Sequence, residues 1–268
     1  MCNSECLDSE LLLAAVLEVP RSYLYTHPAN NLTQDQQSRF NTLLQRRKRG
    51  EPIAYILGTK AFWTLDLEVN QDTLIPRPAT ELLVELALHY LPATAACQVI
   101  DLGTGSGAIA LSLAQERPHW QLTASDNYPN TLAVAKRNAE RYQLSHINFV
   151  LSDWCKQLPA MQVDAIVSNP PYIRMDDAHL EQGDLRFEPQ HALASGRDGL
   201  TALRTIITES HTLLKPGGYL LVEHGYDQGE AVRNLMKVAD YIEIKQYRDL
   251  ESHERVVVGR IDPSAKPC

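Results

Sequence analysis

The sequence predicts an α/β protein: a mostly parallel sheet closed by an antiparallel hairpin, with a small helical region in front of it. Three observations carry this. From about Ala79 onward, short apolar runs alternate with helical patterns, the signature of parallel strands joined by crossover helices. The last two strand-like runs, 241–248 and 254–261, are separated by only a short turn, which requires an antiparallel pair. Before about Gly58 the pattern is helical.

In the first region Leu11, Leu12, Ala15 and Val19 recur at helical spacing. Thr33 and Gln36 form a capping box ahead of a segment that ends at Arg49, with Gly50 placed to close it. The run "KAFWTLDLEVNQDTLI" (60–75) suits a short antiparallel hairpin, and "IPRP" ends it because Pro76 and Pro78 forbid regular ladder pairing. The expected division is therefore a helical region 1–58, a hairpin connector 59–78 and an α/β domain 79–268. Expected strands are 97–102, 120–126, 147–151, 163–169 and 219–225, with helices such as 130–144 between them. A parallel sheet finished by a hairpin is a Rossmann-like layout. The long stretch 173–198 has little regular pattern, and such loops in compact domains are often functional.

Composition narrows the function. The 268 residues carry a net charge of −8, whereas a dedicated nucleic-acid binder is more often basic, so direct nucleic-acid binding is not expected. The one basic cluster, Arg46 to Arg49, sits where cations complement a helix C-terminus. That structural role is weighed against a weaker one in contacting RNA. No apolar run is long enough to span a membrane, and the N-terminal stretch, broken by Asp8, Glu10 and Glu18, reads as an amphipathic helix. A cytoplasmic protein is expected. The five cysteines are scattered. Cys2 and Cys6 have no partner pair at zinc spacing and read as helix residues, so no metal is expected.

"DLGTGSGAIA" follows the first expected strand and opens a helix. Gly103, Gly105 and Gly107, with Thr104 and Ser106 between them, let backbone approach a ligand at a helix N-terminus. Gly105, Gly107 and Ala110 also satisfy the dinucleotide fingerprint. Charge separates the candidates. Asp101 would repel a pyrophosphate by ~4 kcal/mol at ~4 Å and an effective dielectric near 20. The same carboxylate suits the sulfonium and ammonium of S-adenosylmethionine. Asp126, at the end of the second strand, is placed to accept from ribose hydroxyls, a feature shared with nicotinamide sites. After the third strand, Asp153 is a candidate for the adenine amino group and Trp154 for the ring face. The alternative is a turn cap and a core residue. Asp101, Asp126, Asp153 and Asn169 all fall at ends of successive strands, the edge where open α/β sheets bind ligands.

The fourth strand ends in "SNPPYIR". Pro170 and Pro171 fix backbone angles and remove two donors, which holds Asn169 rigid and frees the Pro170 carbonyl. Two acceptors, Asn169 Oδ1 and the Pro170 carbonyl, would grip both N–H bonds of a planar amino group, and Tyr172 would stack on it. Catalysis is then mainly alignment, with carbonyl dipoles aimed at the nitrogen.

With "DLGTGSG", the NPPY tetrad at 169–172 resembles the amino-methyltransferases. "RRKRGEPIAYILGTKAFW", "TLIPRPATELLVE", "FEPQHALASGRDGL" and "LLVEHGYDQGEAV" narrow the likeness to the HemK/PrmC family, the glutamine N5-methyltransferases of peptide chain release factors. The resemblance runs from about Leu11 to Ile261. It implies a class I methyltransferase sheet behind a helical N-terminal domain, and S-adenosylmethionine held by Gly103–Gly107, Asp126, Trp154 and Asn169. It also implies a Gly-Gly-Gln glutamine held by Asn169–Tyr172. One departure is Ala79, where the family often has an acidic residue; Glu81 remains. Two rivals share the motifs: a glutamine methyltransferase acting on a ribosomal protein, and a nucleic-acid amino-methyltransferase. A non-catalytic module that keeps only the fold fits poorly with intact glycine and NPPY segments.

Overall fold

The computed structural model describes residues 4–159 and 161–265; Cys2 lies outside them. The helical region comprises α1 (Ser4–Leu17), α2 (Ser22–Thr26), α3 (Gln34–Lys48) and α4 (Ile53–Leu57). The capping box forms as expected: Gln36 N donates to Thr33 Oγ1 at 3.2 Å and Thr33 N to Gln36 Oε1 at 3.0 Å. After α3 the chain turns at Gly50, whose φ of +91° suits glycine. Within α1 the buried face is Leu12, Ala14 and Val16, while Ala15 is exposed and Val19 lies beyond the helix end. The expected stripe is thus rotated, because α1 packs against both α3 and α4 and stops at Leu17.

The hairpin is shorter than expected. β1 (Thr59–Phe62) and β2 (Leu65–Glu68) pair around a two-residue turn in which Trp63 takes a φ of +54°. Leu65 and Leu67 point inward and Asp66 outward. Residues 69–75 leave the ladder and cross toward the sheet, with Val69 and Ile75 packed against Ala54 of α4.

The main sheet has seven strands: β3 (Gln98–Leu102), β4 (Gln121–Asp126), β5 (Ile147–Leu151), β6 (Val163–Ser168), β7 (Leu214–Glu223), β8 (Ile242–Arg248) and β9 (Glu254–Arg260). Their order is β5-β4-β3-β6-β7-β9-β8. The first five are parallel and β9 pairs antiparallel with β7 and β8, bearing out the mostly parallel sheet with its terminal hairpin. Helices α5 (Glu81–Tyr90), α6 (Ala108–Glu116) and α7 (Pro129–Arg141) cover one face. Helices α8 (Thr201–Leu213) and α9 (Gly229–Val238) cover the other. Period-two alternation sorts each strand between these layers: Val99 joins the first core, and Ile100 and Leu102 the second. The chain winds outward through β4 and β5, then returns to place β6 on the other side of β3. That reversal opens a crevice beyond the carboxyl ends of β3 and β6. No helix of the described residues is long and apolar enough to cross a membrane.

One buried amide ties the hairpin to the glycine loop. Asn138, on α7 and fully buried, accepts from Glu68 N at 2.7 Å and donates to Glu68 O at 3.0 Å and Ser106 O at 2.9 Å. Asn138→Ala should lower the unfolding free energy by about 2–4 kcal/mol, because it strands one buried donor and two acceptors at once. Urea denaturation followed by circular dichroism checks it, and a loss below about 1 kcal/mol would show that water replaces the amide.

Candidate active site

A cavity of about 250 Å³ lies at the carboxyl ends of β3 to β6, roofed by Asp72, Leu74 and Pro76 of the connector and by Thr80 just beyond it. Its wall includes Gly103, Thr104, Gly105, Ser106, Asp126, Asp153, Trp154, Asn169 and Pro171, all expected from sequence. The loop turns sharply. Gly103, Gly105 and Gly107 have φ of +72°, +58° and +89°. At Gly107 the positive φ disfavours any side chain, and a Cβ would also press on Leu111 Cδ1 at 2.4 Å. A Cβ on Gly105 would meet nothing within 4 Å, so the loop backbone there faces open space.

Asp126 holds the loop and the turn after β4 together: Oδ2 accepts from Gly105 N and Oδ1 from Tyr128 N, each at 3.1 Å. Burial raises its pKa, and the backbone donors pull it back. Trp154 adopts a φ of +51°, and its ring lies over Gly103, where an added Cβ would be 3.4 Å away. The Asp153 carboxylate is half-exposed and ion-paired with Lys156 Nζ at 2.6 Å.

Four expected residues are not on the wall. Gly107 is the N-terminal cap of α6. Asp101 is fully buried behind the loop, where Oδ2 accepts from Thr104 Oγ1 at 2.7 Å and from Ala110 N at 3.2 Å. Its Oδ1 has no hydrogen-bond partner, and burial pushes its pKa up to about 7. Pro170 is buried. Tyr172 packs on the α8/α9 side and its hydroxyl donates to Glu223 Oε1 at 3.2 Å. It anchors the end of the tetrad instead of standing over the cavity. Burial raises the Tyr172 pKa far above the usual range, so it stays protonated.

The tetrad is held from several sides. Ser168 Oγ donates to Leu102 O at 2.7 Å, Gln228 Nε2 to Tyr172 O at 3.0 Å, and Asn169 Nδ2 to Thr80 Oγ1 at 3.0 Å. Gly199 passes so close that a Cβ would stand 2.3 Å from Tyr172 O.

Sequence reasoning missed Asp72, Thr80, Tyr128, Thr131 and His191 on the wall. Thr80 sits in the quoted "PRPATE" segment, and His191 in the long loop already singled out. His191 stacks on Tyr128 with ring centroids 3.6 Å apart, and burial lowers its pKa. Glu223 was missed as well. A carboxylate inside the apolar run "LLVEHG" was the available signal.

The sheet, with its glycine loop and an acidic residue ending the next strand, defines a Rossmann-like domain that binds a nucleoside cofactor. A model described as the methyltransferase small domain matches residues 78–184, and one described as the PrmC N-terminal domain matches 2–58. A methyltransferase from Pyrococcus furiosus shares the fold, with a TM-score of 0.58 at 17% identity over 83% of this chain and 99% of that one. A release factor glutamine methyltransferase from Coxiella burnetii is 48% identical over 95% of this chain and 91% of its own length. One from Pseudomonas aeruginosa is 49% identical over 95% and 92%. The chain belongs to the release factor glutamine methyltransferase family.

Burial also pushes the Glu223 pKa up to about 7, with Tyr172, Arg255 and Arg77 among the groups pulling it down. A carboxyl raised in the fold holds a proton that the unfolded chain releases. Its penalty is absent below the unfolded pKa and complete above the folded one. Between about pH 6 and pH 8 the wild-type chain should therefore lose roughly 1 kcal/mol more stability than Glu223→Gln. Urea denaturation at both pH values checks it; parallel losses in the two proteins would rule out this titration.

Proposed function

We propose that this chain transfers a methyl group from S-adenosylmethionine to the side-chain amide nitrogen, N5, of the glutamine in the Gly-Gly-Gln motif of peptide chain release factors. The observation that carries this reading is the shared wall: the glycine loop and Asn169 face one cavity, in a chain of this family.

The residues present fit the cofactor. The open space at Gly105 admits a ligand against bare backbone, and Asp126 offers a carboxylate beside it. The unpartnered Oδ1 of Asp101 lies behind the loop, where the carboxyl, its pKa pushed by burial up to about 7, ionises more readily beside a cationic ligand and less readily beside a pyrophosphate. Gly103–Ser106, Asp126, Asp153, Trp154 and Asn169 would hold it. When bound, S-adenosylmethionine supplies an electrophilic methyl group on a sulfonium.

Asn169 Oδ1 accepts one N–H bond of the glutamine amide at the cavity wall, and the carbonyl of Pro170, a residue buried just behind that wall, takes the other once the substrate is seated. The nitrogen lone pair is delocalised into its own carbonyl, so orientation is the main task. As positive charge grows on the nitrogen, both acceptor dipoles stabilise it at no cost in reorganisation. Pro171 and the anchored Tyr172 keep the acceptors from relaxing. Residues 1–58 form the domain that docks the protein substrate, 59–78 the connector and 79–268 the catalytic domain. The match of 2–58 to a separate family model supports the first boundary.

Incubating release factor with this protein and S-adenosylmethionine should add one methyl to the Gly-Gly-Gln glutamine, read by mass spectrometry of the peptide. Asn169→Ala should abolish it while cofactor affinity, measured by calorimetry, largely survives. A methyl on a ribosomal protein or RNA instead would redirect the substrate and keep the chemistry. Gly105→Ala should weaken cofactor binding by ~10-fold or more, since the new methyl enters the cavity from a strained backbone. Unchanged affinity would move the ligand away from this loop.

A further inference from the structure

Glu223 ends β7 beside the tetrad: its neighbour Val222 is in register with Ser168, the residue before Asn169. The side chain is 1% exposed, and its Oε2 has no hydrogen-bond partner. Such a carboxylate is expensive to bury, and no packing need of the sheet calls for one. Its surroundings are polar and converge on the tetrad. The Tyr172 hydroxyl donates to Oε1, and the Thr80 hydroxyl lies close enough to lower its pKa. Thr80 in turn accepts from Asn169 Nδ2.

Resting on the methyl-transfer reading above, we infer that Glu223 is a positioning residue which, through Thr80 and Tyr172, sets the polarity of the Asn169 amide for catalysis. A hydroxyl carries one hydrogen and an ionised carboxylate only accepts. With its oxygen occupied by Asn169 Nδ2, Thr80 keeps its own hydrogen available to turn toward Glu223. Every hydrogen in the cluster then runs toward the carboxylate, and Asn169 Oδ1 is the amide atom left to face the substrate. The reversed amide would present N–H donors to the donors of the glutamine nitrogen, and the clamp would repel what it must hold. Burial opposes ionisation of this carboxyl, while the Thr80 and Tyr172 hydroxyls, Arg255 and Arg77 favour it, and the relay operates in the ionised form. Glu223 touches neither substrate nor cofactor; it acts through its neighbours.

The test uses the full chain and release factor. Glu223→Gln keeps the shape but can turn a donor toward Thr80. It should lower kcat by ~10–100-fold, the range seen for outer-shell partners, with KM for release factor and cofactor affinity nearly unchanged. Thr80→Val should lose a similar factor, and the double variant no more than the worse single one, because both break one relay. Thr80→Ser should recover most of the rate lost in Thr80→Val. A purely structural role would instead lower the melting temperature and raise KM, and the two losses would multiply. Wild-type kcat in Glu223→Gln, multiplying losses, or failure of the Thr80→Ser rescue would each overturn the inference. An inactive wild-type chain would instead sink the methyl-transfer reading itself.

Discussion

The site depends on where β6 stops. This strand lies between β3 and β7 with a helical layer on each face, and all of its residues except Asp164 are buried. A strand in that position has its N–H and C=O groups taken by neighbours on both sides, and its side chains by two cores. Pro170 and Pro171 end the ladder abruptly because neither has an N–H to continue it. Ser168, the last strand residue, spends its hydroxyl on Leu102 O, which joins the ends of β6 and β3. Asn169 is therefore the first side chain past the sheet, and it opens onto the crevice that the winding reversal creates. Thr80, Gln228 and Gly199 all converge on this one point from elements distant in sequence.

Two buried carboxyls flank that point, Asp101 in β3 and Glu223 at the end of β7. Each is shielded from water and keeps one oxygen unpaired. An unsatisfied buried polar atom costs about 1–3 kcal/mol, so neither is accounted for by packing. Asp101 still shapes the site from behind. Its second oxygen gathers Thr104 and Ala110, folding the glycine loop onto the start of α6. A carboxylate can thus govern a cavity it does not line. Its hydrogen bonds fix the loop's curvature.

Much of this was legible in the chain itself. Strands buried on both faces, such as β3, β4 and β6, read as short apolar runs; these, β9 and the edge strands β5 and β8 all fall within one residue of expectation at each end. β7 was misjudged. Pro216, Gly217 and Gly218 look like a turn, yet the strand starts at Leu214. A register shift opposite Val163 and Ala165 absorbs them, with Gly217 at a φ of +82°. Site residues that end a strand were readable because topology puts strand ends together. Asp72, Thr80 and His191 were not, because only tertiary packing carries the connector and the long loop over the cavity. Glu223 sat in plain view within an apolar strand, where period-two reasoning treats a residue as core.

The basic cluster closing α3 shows how the long loop is held. Arg46 pairs with Glu51, while Arg47 bridges Asp8 at 2.6 Å and Asp184 at 3.2 Å. Arg186 donates to Arg49 O at 3.0 Å. Arg46 and Arg47 are thus paired with carboxylates of this chain, a structural role beyond complementing the helix end. Nearer the cavity the tie is of another kind: Arg77 pairs with the buried Glu188, which also accepts from Ile75 N at 3.0 Å. Salt screens exposed pairs far more than buried ones. The Asp184 end of the loop is therefore held softly by the helical region, and the Glu188 end firmly by the connector. His191 and Ala192, on the cavity wall, come shortly after Glu188, so the buried tie to the connector lies nearer the cavity in sequence than the exposed tie at Asp184.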